Sequence, residues 1–235
     1  AAGNVIIAKP SHKTPHVSEF IARLFTATFP DHELAIIQGE GAEIGNKLLT
    51  FPFDHIFFTG SPKVGAHIAK TAAKQHASTT LELGGKSPTV LLPDVNIKKA
   101  IKQIAWGKTL NAGQTCIAPD YALCPEYKVQ EFAQALAEEI KKMFGETESI
   151  RYENQDFVHI IDKRATERHA ALIKDAIGKG AKQVIGGICD IEHCYTPITV
   201  LTNVTPNMEI MQSEIFGPIL PIVAYKTLDE AIAYD

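Results

Sequence analysis

One cysteine in this chain stands where a reactive thiol could stand. Cys116 closes the run Leu110-Asn111-Ala112-Gly113-Gln114-Thr115-Cys116, in which Gly113 and Gln114 let backbone approach closely and Thr115 is polar. A nucleophilic thiol needs access, and it needs exposed amide donors for the oxyanion that its attack creates. An isolated cysteine is more commonly an inert core residue, and this stretch alone leaves both readings open. Glu82 is a second candidate, because it sits between Leu81 and Leu83 at the end of a strand-like segment and precedes Gly84-Gly85. If that strand is buried, apolar walls would raise the carboxyl pKa toward the range of a general base; otherwise Glu82 is a solvated charge. Lys86 is then its counter-charge or a surface lysine. The turn Gly60-Ser61-Pro62-Lys63-Val64-Gly65 is neither a Gly-x-Gly-x-x-Gly nor a Walker loop. Between a strand and a helix it would aim backbone N–H groups and the Ser61 hydroxyl at an anion; Ser61 is equally well read as a plain helix cap.

The elements that must position these residues follow from hydrophobic spacing. Val5 to Ala8, Leu34 to Ile37, Asp54 to Phe58 and Thr79 to Leu83 read as strands, and helices separate them. The first helix opens at Thr14-Pro15, with Thr14 as cap, and carries Val17, Phe20, Ile21, Leu24 and Phe25 at helical spacing. A second runs through Ile44, Leu48 and Leu49, and a third through Ile68, Ala69, Ala72 and Ala73. This alternation predicts an α/β fold with a partial doubly wound parallel sheet, which binds ligands beyond the carboxyl ends of its strands. Lys9, Thr59, Ser61 and Glu82 all lie at or just past such ends.

Gly84-Gly85 interrupts the pattern, and a domain boundary is expected there, separating residues 1–83 from a second α/β domain over residues 84–235. In the second domain, strands are expected at Thr89–Leu92, Tyr121–Cys124, Gln183–Ile185, Pro197–Leu201 and Ile219–Val223. Asn96 caps a helix through Ala100, Ile101, Ile104 and Ala105; further helices span Val129–Phe144 and Arg164–Gly178, and another begins at Leu228. Arg151–Asp156 is polar and reads as a loop.

Composition narrows the function classes. A chain of 235 residues, 45% hydrophobic with a formal charge of −4, is ordinary globular material with no reason to bind nucleic acid. No apolar run is long enough to span a bilayer, and no signal peptide is visible at Ala1, which need not be a native start. Four cysteines, with no Cys-x-x-Cys, fit a reducing cytoplasm better than a disulfide scaffold. Cys189, His193 and Cys194 have the wrong spacing for a zinc site, and no metal is implied.

Taken together, the motifs resemble the NAD(P)-dependent aldehyde dehydrogenase superfamily. They are Phe58-Thr59-Gly60-Ser61, Glu82-Leu83-Gly84-Gly85-Lys86-Ser87-Pro88, Gly113-Gln114-Thr115-Cys116 and Glu214-Ile215-Phe216-Gly217-Pro218, in that order, with Cys116 following Glu82 by 34 residues. The resemblance covers essentially the whole chain. Ala105-Trp106-Gly107-Lys108 and Ala118-Pro119-Asp120-Tyr121 look most like the class 3 branch, which includes fatty, aromatic and coniferyl aldehyde dehydrogenases. The resemblance implies that residues 1–83 are part of a dinucleotide-binding domain and residues 84–235 a catalytic thiol domain. It implies that Cys116 attacks the aldehyde, that hydride passes to NAD or NADP, and that Glu82 activates the water that hydrolyses the thioester. It also implies that Lys9 bonds the adenosine ribose, that Ser61 with Gly60 and Gly65 meets the pyrophosphate, and that Thr59 lies by the nicotinamide. Glu214 would hold the nicotinamide ribose with Phe216 packing close by. Residue patterns alone read Glu214 as a surface charge.

Two departures bear on these expectations. Where the family usually has a ribose-binding Glu, three residues after the Lys-Pro lysine, this chain has His12. Loss of that carboxylate, and a protonated imidazole, would relax the choice between NAD and NADP. The resemblance also places the oxyanion asparagine upstream of Ala1, distinct from Asn111, and the oligomerisation strand of an expected homodimer beyond Asp235. Loss of one oxyanion donor costs about a hundred- to a thousand-fold in rate, so residues 1–235 by themselves are expected to bind cofactor weakly without turning over. The substrate implied is a small apolar or aromatic aldehyde. A non-catalytic nucleotide-binding or assembly module, and a cofactor-independent esterase using the same thiol, are the alternatives.

Overall fold

The computed structural model describes residues 3–234, and the chain divides into two compact units, Ala1–Leu83 and Gly84–Asp235. In the first unit β1 (Ile6–Ala8), α1 (Pro15–Thr28), β2 (Leu34–Ile36), α2 (Gly41–Leu48), β3 (His55–Gly60), α3 (Pro62–Lys74) and β4 (Ser78–Leu83) alternate. β1 pairs with β2 and β3 with β4, both parallel, as two two-stranded sheets. Parallel neighbours need a crossover, and each pair has a helix in that role.

Pro15 sits in the first turn of α1, where its missing N–H costs nothing, but Thr14 does not cap the helix through its side chain. The expected apolar face of α1 also differs. Val17, Phe20 and Leu24 are exposed, and the buried residue is Ser18, whose hydroxyl donates to the Ser11 carbonyl at 2.7 Å. Ile21 and Phe25 of the expected face are half-buried, so the packed side is shifted toward Ser18 and not reversed.

The second unit contains β5 (Pro88–Val90), α4 (Ile97–Thr109), β6 (Tyr121–Pro125), α5 (Val129–Phe144), α6 (Glu148–Glu153), α7 (Lys163–Gly178), β7 (Lys182–Ile185), β8 (Thr199–Thr202), β9 (Ile219–Tyr225) and α8 (Leu228–Ile232). Its sheet runs β5-β6-β9-β8-β7, parallel throughout except that β7 is antiparallel to β8. Period-two alternation divides the core. Ala122, Cys124, Leu220 and Ile222 join Ile101, Ile104, Phe132, Leu136 and Ile140 of α4 and α5. Leu123, Ile219 and Val223 join Leu172, Ile173 and Ala176 of α7. With helices on both faces, β6 and β8 are buried throughout, and β9 is buried except at Ala224.

The expected loop at Arg151–Asp156 is half helix: α6 ends at Glu153. Arg151 is buried, donating to the Gly145 and Glu146 carbonyls at 2.8 and 3.1 Å and pairing with Glu148 at 2.8 Å. A polar segment can pack when its cation is fully partnered. No helix among the described residues is long and apolar enough to cross a membrane.

Candidate active site

In the first unit the candidate residues line the carboxyl ends of parallel strands. Thr59 and Glu82 are register partners on β3 and β4, and both are exposed. Glu82 therefore lacks the apolar walls expected of it within this unit, because Leu81 and Leu83 are only half-buried. Gly60 is the last residue of β3 rather than part of the turn. Ser61 is the N-cap of α3, accepting from the Val64 amide at 3.4 Å, as the capping reading requires. Gly65 is buried in the first turn of α3, where a Cβ would stand 2.6 Å from a Leu83 methyl carbon. Glycine here lets the Leu83 side chain pack directly on the helix backbone, as glycine does where helix and strand pack closely in dinucleotide folds. Lys9 follows β1, its Nζ donating to the Pro10 carbonyl at 2.9 Å. His12 lies with Nε2 3.4 Å from Glu40 Oε1.

In the second unit the Cys116 loop is held in an unusual conformation. Asn111, Ala112 and Gly113 have φ of 51°, 53° and 71°, three consecutive residues in the left-handed region. For the two that are not glycine this costs about 1–2 kcal/mol each. Side chains lock the turn. Asn111 Nδ2 donates to the Gln114 carbonyl at 3.1 Å and Gln114 Nε2 to the Asn111 carbonyl at 3.0 Å. Gln114 Oε1 also accepts from the Ile161 amide at 2.9 Å, tying the loop to the segment before α7. Asn111 is thereby occupied in holding the turn. Cys116 follows it and is exposed. Cys124, by contrast, is buried in β6, and burial pushes its thiol up to about 11. An inert thiol and an accessible one are thus separated by environment.

Gly217 packs against this loop at Gly113. A Cβ on Gly113 would stand 2.7 Å from the Gly217 carbonyl carbon and 2.9 Å from the Lys108 carbonyl oxygen. Gly217 in turn lies against the His169 ring, so neither glycine can carry a side chain. The Glu214 carboxylate lies against Gly84 and accepts from the Gly85 amide. Burial, and then repulsion from Asp120, raises its pKa against the opposing pull of Gly85, Arg168 and Lys108.

Four supporting residues, Asp120, Arg168, His169 and Lys108, escape the sequence patterns, and Lys86 is found there without its true partner. Asp120 is buried, accepting from the Ile215 amide at 2.7 Å and from Lys86 Nζ. Lys86 also donates to the Ile210 and Ser213 carbonyls at 3.0 and 3.2 Å, so it is an internal tie and not a surface lysine. Arg168 donates to the Ile215 carbonyl at 2.7 Å and to the Glu214 carbonyl. His169 is fully buried, bonded to the Thr196 hydroxyl at 3.0 Å and the Ile215 carbonyl at 3.2 Å, and burial pushes its pKa down to about 4. Lys108 is buried beside them, its pKa lowered to about 8 by burial, with Asp120 and Glu214 opposing. Only Asp120 and Lys108 left a trace in the sequence, inside the two phrases that resemble class 3. Phe216 has φ of 51° and remains exposed.

Comparison with known proteins gives the family. The family model described as "Aldehyde dehydrogenase family" matches residues 1–235. A protein named "Probable coniferyl aldehyde dehydrogenase" from Pseudomonas aeruginosa is 39% identical over 234 residues, covering 100% of this chain and 48% of that protein. A substrate-bound structure of Staphylococcus aureus AldH superposes with a TM-score of 0.92 at 39% identity, covering 99% of this chain and 49% of that one. A Mycobacterium tuberculosis aldehyde dehydrogenase complexed with NAD+ gives 0.86 at 32% identity, covering 99% and 48%. The chain thus spans about half the length of the relatives it matches.

Proposed function

Because the chain belongs to the aldehyde dehydrogenase family, we propose that it carries the thiol and cofactor-binding machinery of an NAD(P)+-dependent oxidation of an aldehyde to a carboxylic acid. The observation that carries the reading is the contrast between Cys116, exposed after a locked left-handed turn, and Cys124, buried and inert. The first unit serves as part of the dinucleotide-binding domain and the second as the thiol domain. The residues present fit a dinucleotide: a lysine and a capped helix N-terminus at parallel strand ends, and a glycine that lets the helix approach the strand.

In this reading the Cys116 thiolate attacks the aldehyde carbon, forming a C–S bond and a tetrahedral thiohemiacetal. NAD(P)+, when bound, would supply the acceptor for the hydride that leaves this carbon as the oxyanion re-forms a carbonyl. Cys116 is left as a thioester. Glu82 takes a proton from water as the water oxygen attacks the thioester carbon, and the C–S bond breaks to release the acid and the thiolate. Lys9 and Ser61 would hold the adenosine ribose and pyrophosphate, and Thr59 would face the nicotinamide end. Glu214, which accepts from the Gly85 amide, would hold the nicotinamide ribose, with Phe216 packing close by. An apolar or aromatic aldehyde is the substrate class, supported by the coniferyl aldehyde relative.

The test is aldehyde-dependent formation of NADH or NADPH. Cys116→Ser should abolish it. Glu82→Gln should slow turnover by about a hundred-fold or more while Cys116 remains acylable. Turnover that survives Cys116→Ser would overturn the reading.

A further inference from the structure

The inference concerns which dinucleotide the first unit takes, and it rests on the reading just proposed. β1 and β2 run parallel, Ile6 opposite Leu34 through Ala8 opposite Ile36, and the Ile37 amide extends the ladder to the Ala8 carbonyl at 2.9 Å. Their carboxyl ends therefore lie side by side. Lys9 and His12 follow the first strand, and Glu40 follows the second at the start of α2.

Glu40 occupies the N-cap position, yet its carboxylate does not cap the helix. It turns instead toward His12, Oε1 to Nε2 at 3.4 Å. The imidazole lies over Gly41, where a Cβ would stand 3.0 Å from Cε1 and 3.1 Å from Nδ1. Glu40 remains largely exposed, so its second carboxylate oxygen is open to a ligand. A carboxylate and an ammonium at adjacent strand ends can hold a vicinal diol, the first accepting from one hydroxyl and the second donating to the other. An acidic residue near the end of the second strand of a dinucleotide fold receives the ribose 2′-hydroxyl and repels a 2′-phosphate.

We propose that Glu40, oriented by His12, receives the adenosine 2′-hydroxyl and makes the protein selective for NAD+ over NADP+. This reverses the relaxed choice expected from His12 alone. An imidazole already facing a carboxylate is no free receptor for a phosphate dianion, and the negative charge lost at position 12 is restored from the neighbouring strand.

The test is calorimetric titration of the protein with NAD+ and NADP+, and with 5′-AMP and 2′,5′-ADP to isolate the adenosine end. NAD+ should bind at least about ten-fold more tightly than NADP+. Glu40→Gln should bring the two within about three-fold, chiefly by improving NADP+. His12→Ala should weaken NAD+ while keeping the preference. Both residues have exposed side chains, and thermal melts check that the variants fold. Equal affinity in the unaltered protein, or an unchanged ratio in Glu40→Gln, overturns the proposal and leaves the dinucleotide reading intact. Failure to bind either dinucleotide overturns both.

Discussion

Gly113 and Gly217 meet backbone to backbone: a Cβ on the first would lie 2.7 Å from the carbonyl carbon of the second. Through this contact the turn before Cys116 is built against the segment that carries Glu214, although about a hundred residues separate them. Gly113→Ala would suffer twice, because its φ of 71° disfavours a side chain and the side chain has no room. It should lose about 2–4 kcal/mol in urea unfolding and change the labelling rate of Cys116.

Asp120 joins three segments by accepting from Lys86 and from the Ile215 amide. Asp120→Ala would leave Lys86 half-buried without its counter-ion and the Ile215 amide without an acceptor. A loss of about 3–5 kcal/mol is expected in denaturant titration. In a double-mutant cycle, Lys86→Met should cost much less in the Asp120→Ala background than in the native protein.

His169 makes stability depend on pH. Its folded pKa of about 4 lies below the unfolded value of 6.5, because burial disfavours the imidazolium. Between those values the unfolded chain binds the extra proton, so stability rises with pH through this window and is lost as pH falls from about 6.5 toward 4. Full expression amounts to roughly 3 kcal/mol. His169→Gln should flatten that part of a plot of unfolding free energy against pH, after its own destabilisation at neutral pH is subtracted.

The fold was legible where one period dominated. Val129–Phe144 coincides with α5 because Phe132, Leu136 and Ile140 recur on one face, and the Ile219 strand was plain from its apolar run. α6 was missed because its anchor, Arg151, is a cation satisfied by carbonyls that no periodicity reveals. The thiol and the turn could be suspected from residue types alone. The network behind them could not. Lys86 finds Asp120, Asp120 finds Ile215, and Arg168 finds Glu214 only after the sheet of the second unit has formed. Glu214 itself reads as a surface charge until its carboxylate is seen against Gly84 and Gly85.

Gly65 offers a separate check on the first unit. Gly65→Ala would put a methyl group 2.6 Å from a Leu83 methyl carbon and force the Leu83 side chain to repack. About 1–3 kcal/mol should be lost in thermal or urea unfolding, with weaker dinucleotide binding. Leu83→Ala in the same chain should recover part of both.

The most direct measurement is the rate of thiol labelling at Cys116 as a function of pH, with and without NAD+ or NADP+, using Cys116→Ser to assign the signal. Fast labelling that the dinucleotide alters, with Cys124 silent until the protein unfolds, is the result expected of an accessible nucleophile in a protein that binds the dinucleotide. Labelling at Cys116 no faster than a free thiol and indifferent to either dinucleotide would contradict the account.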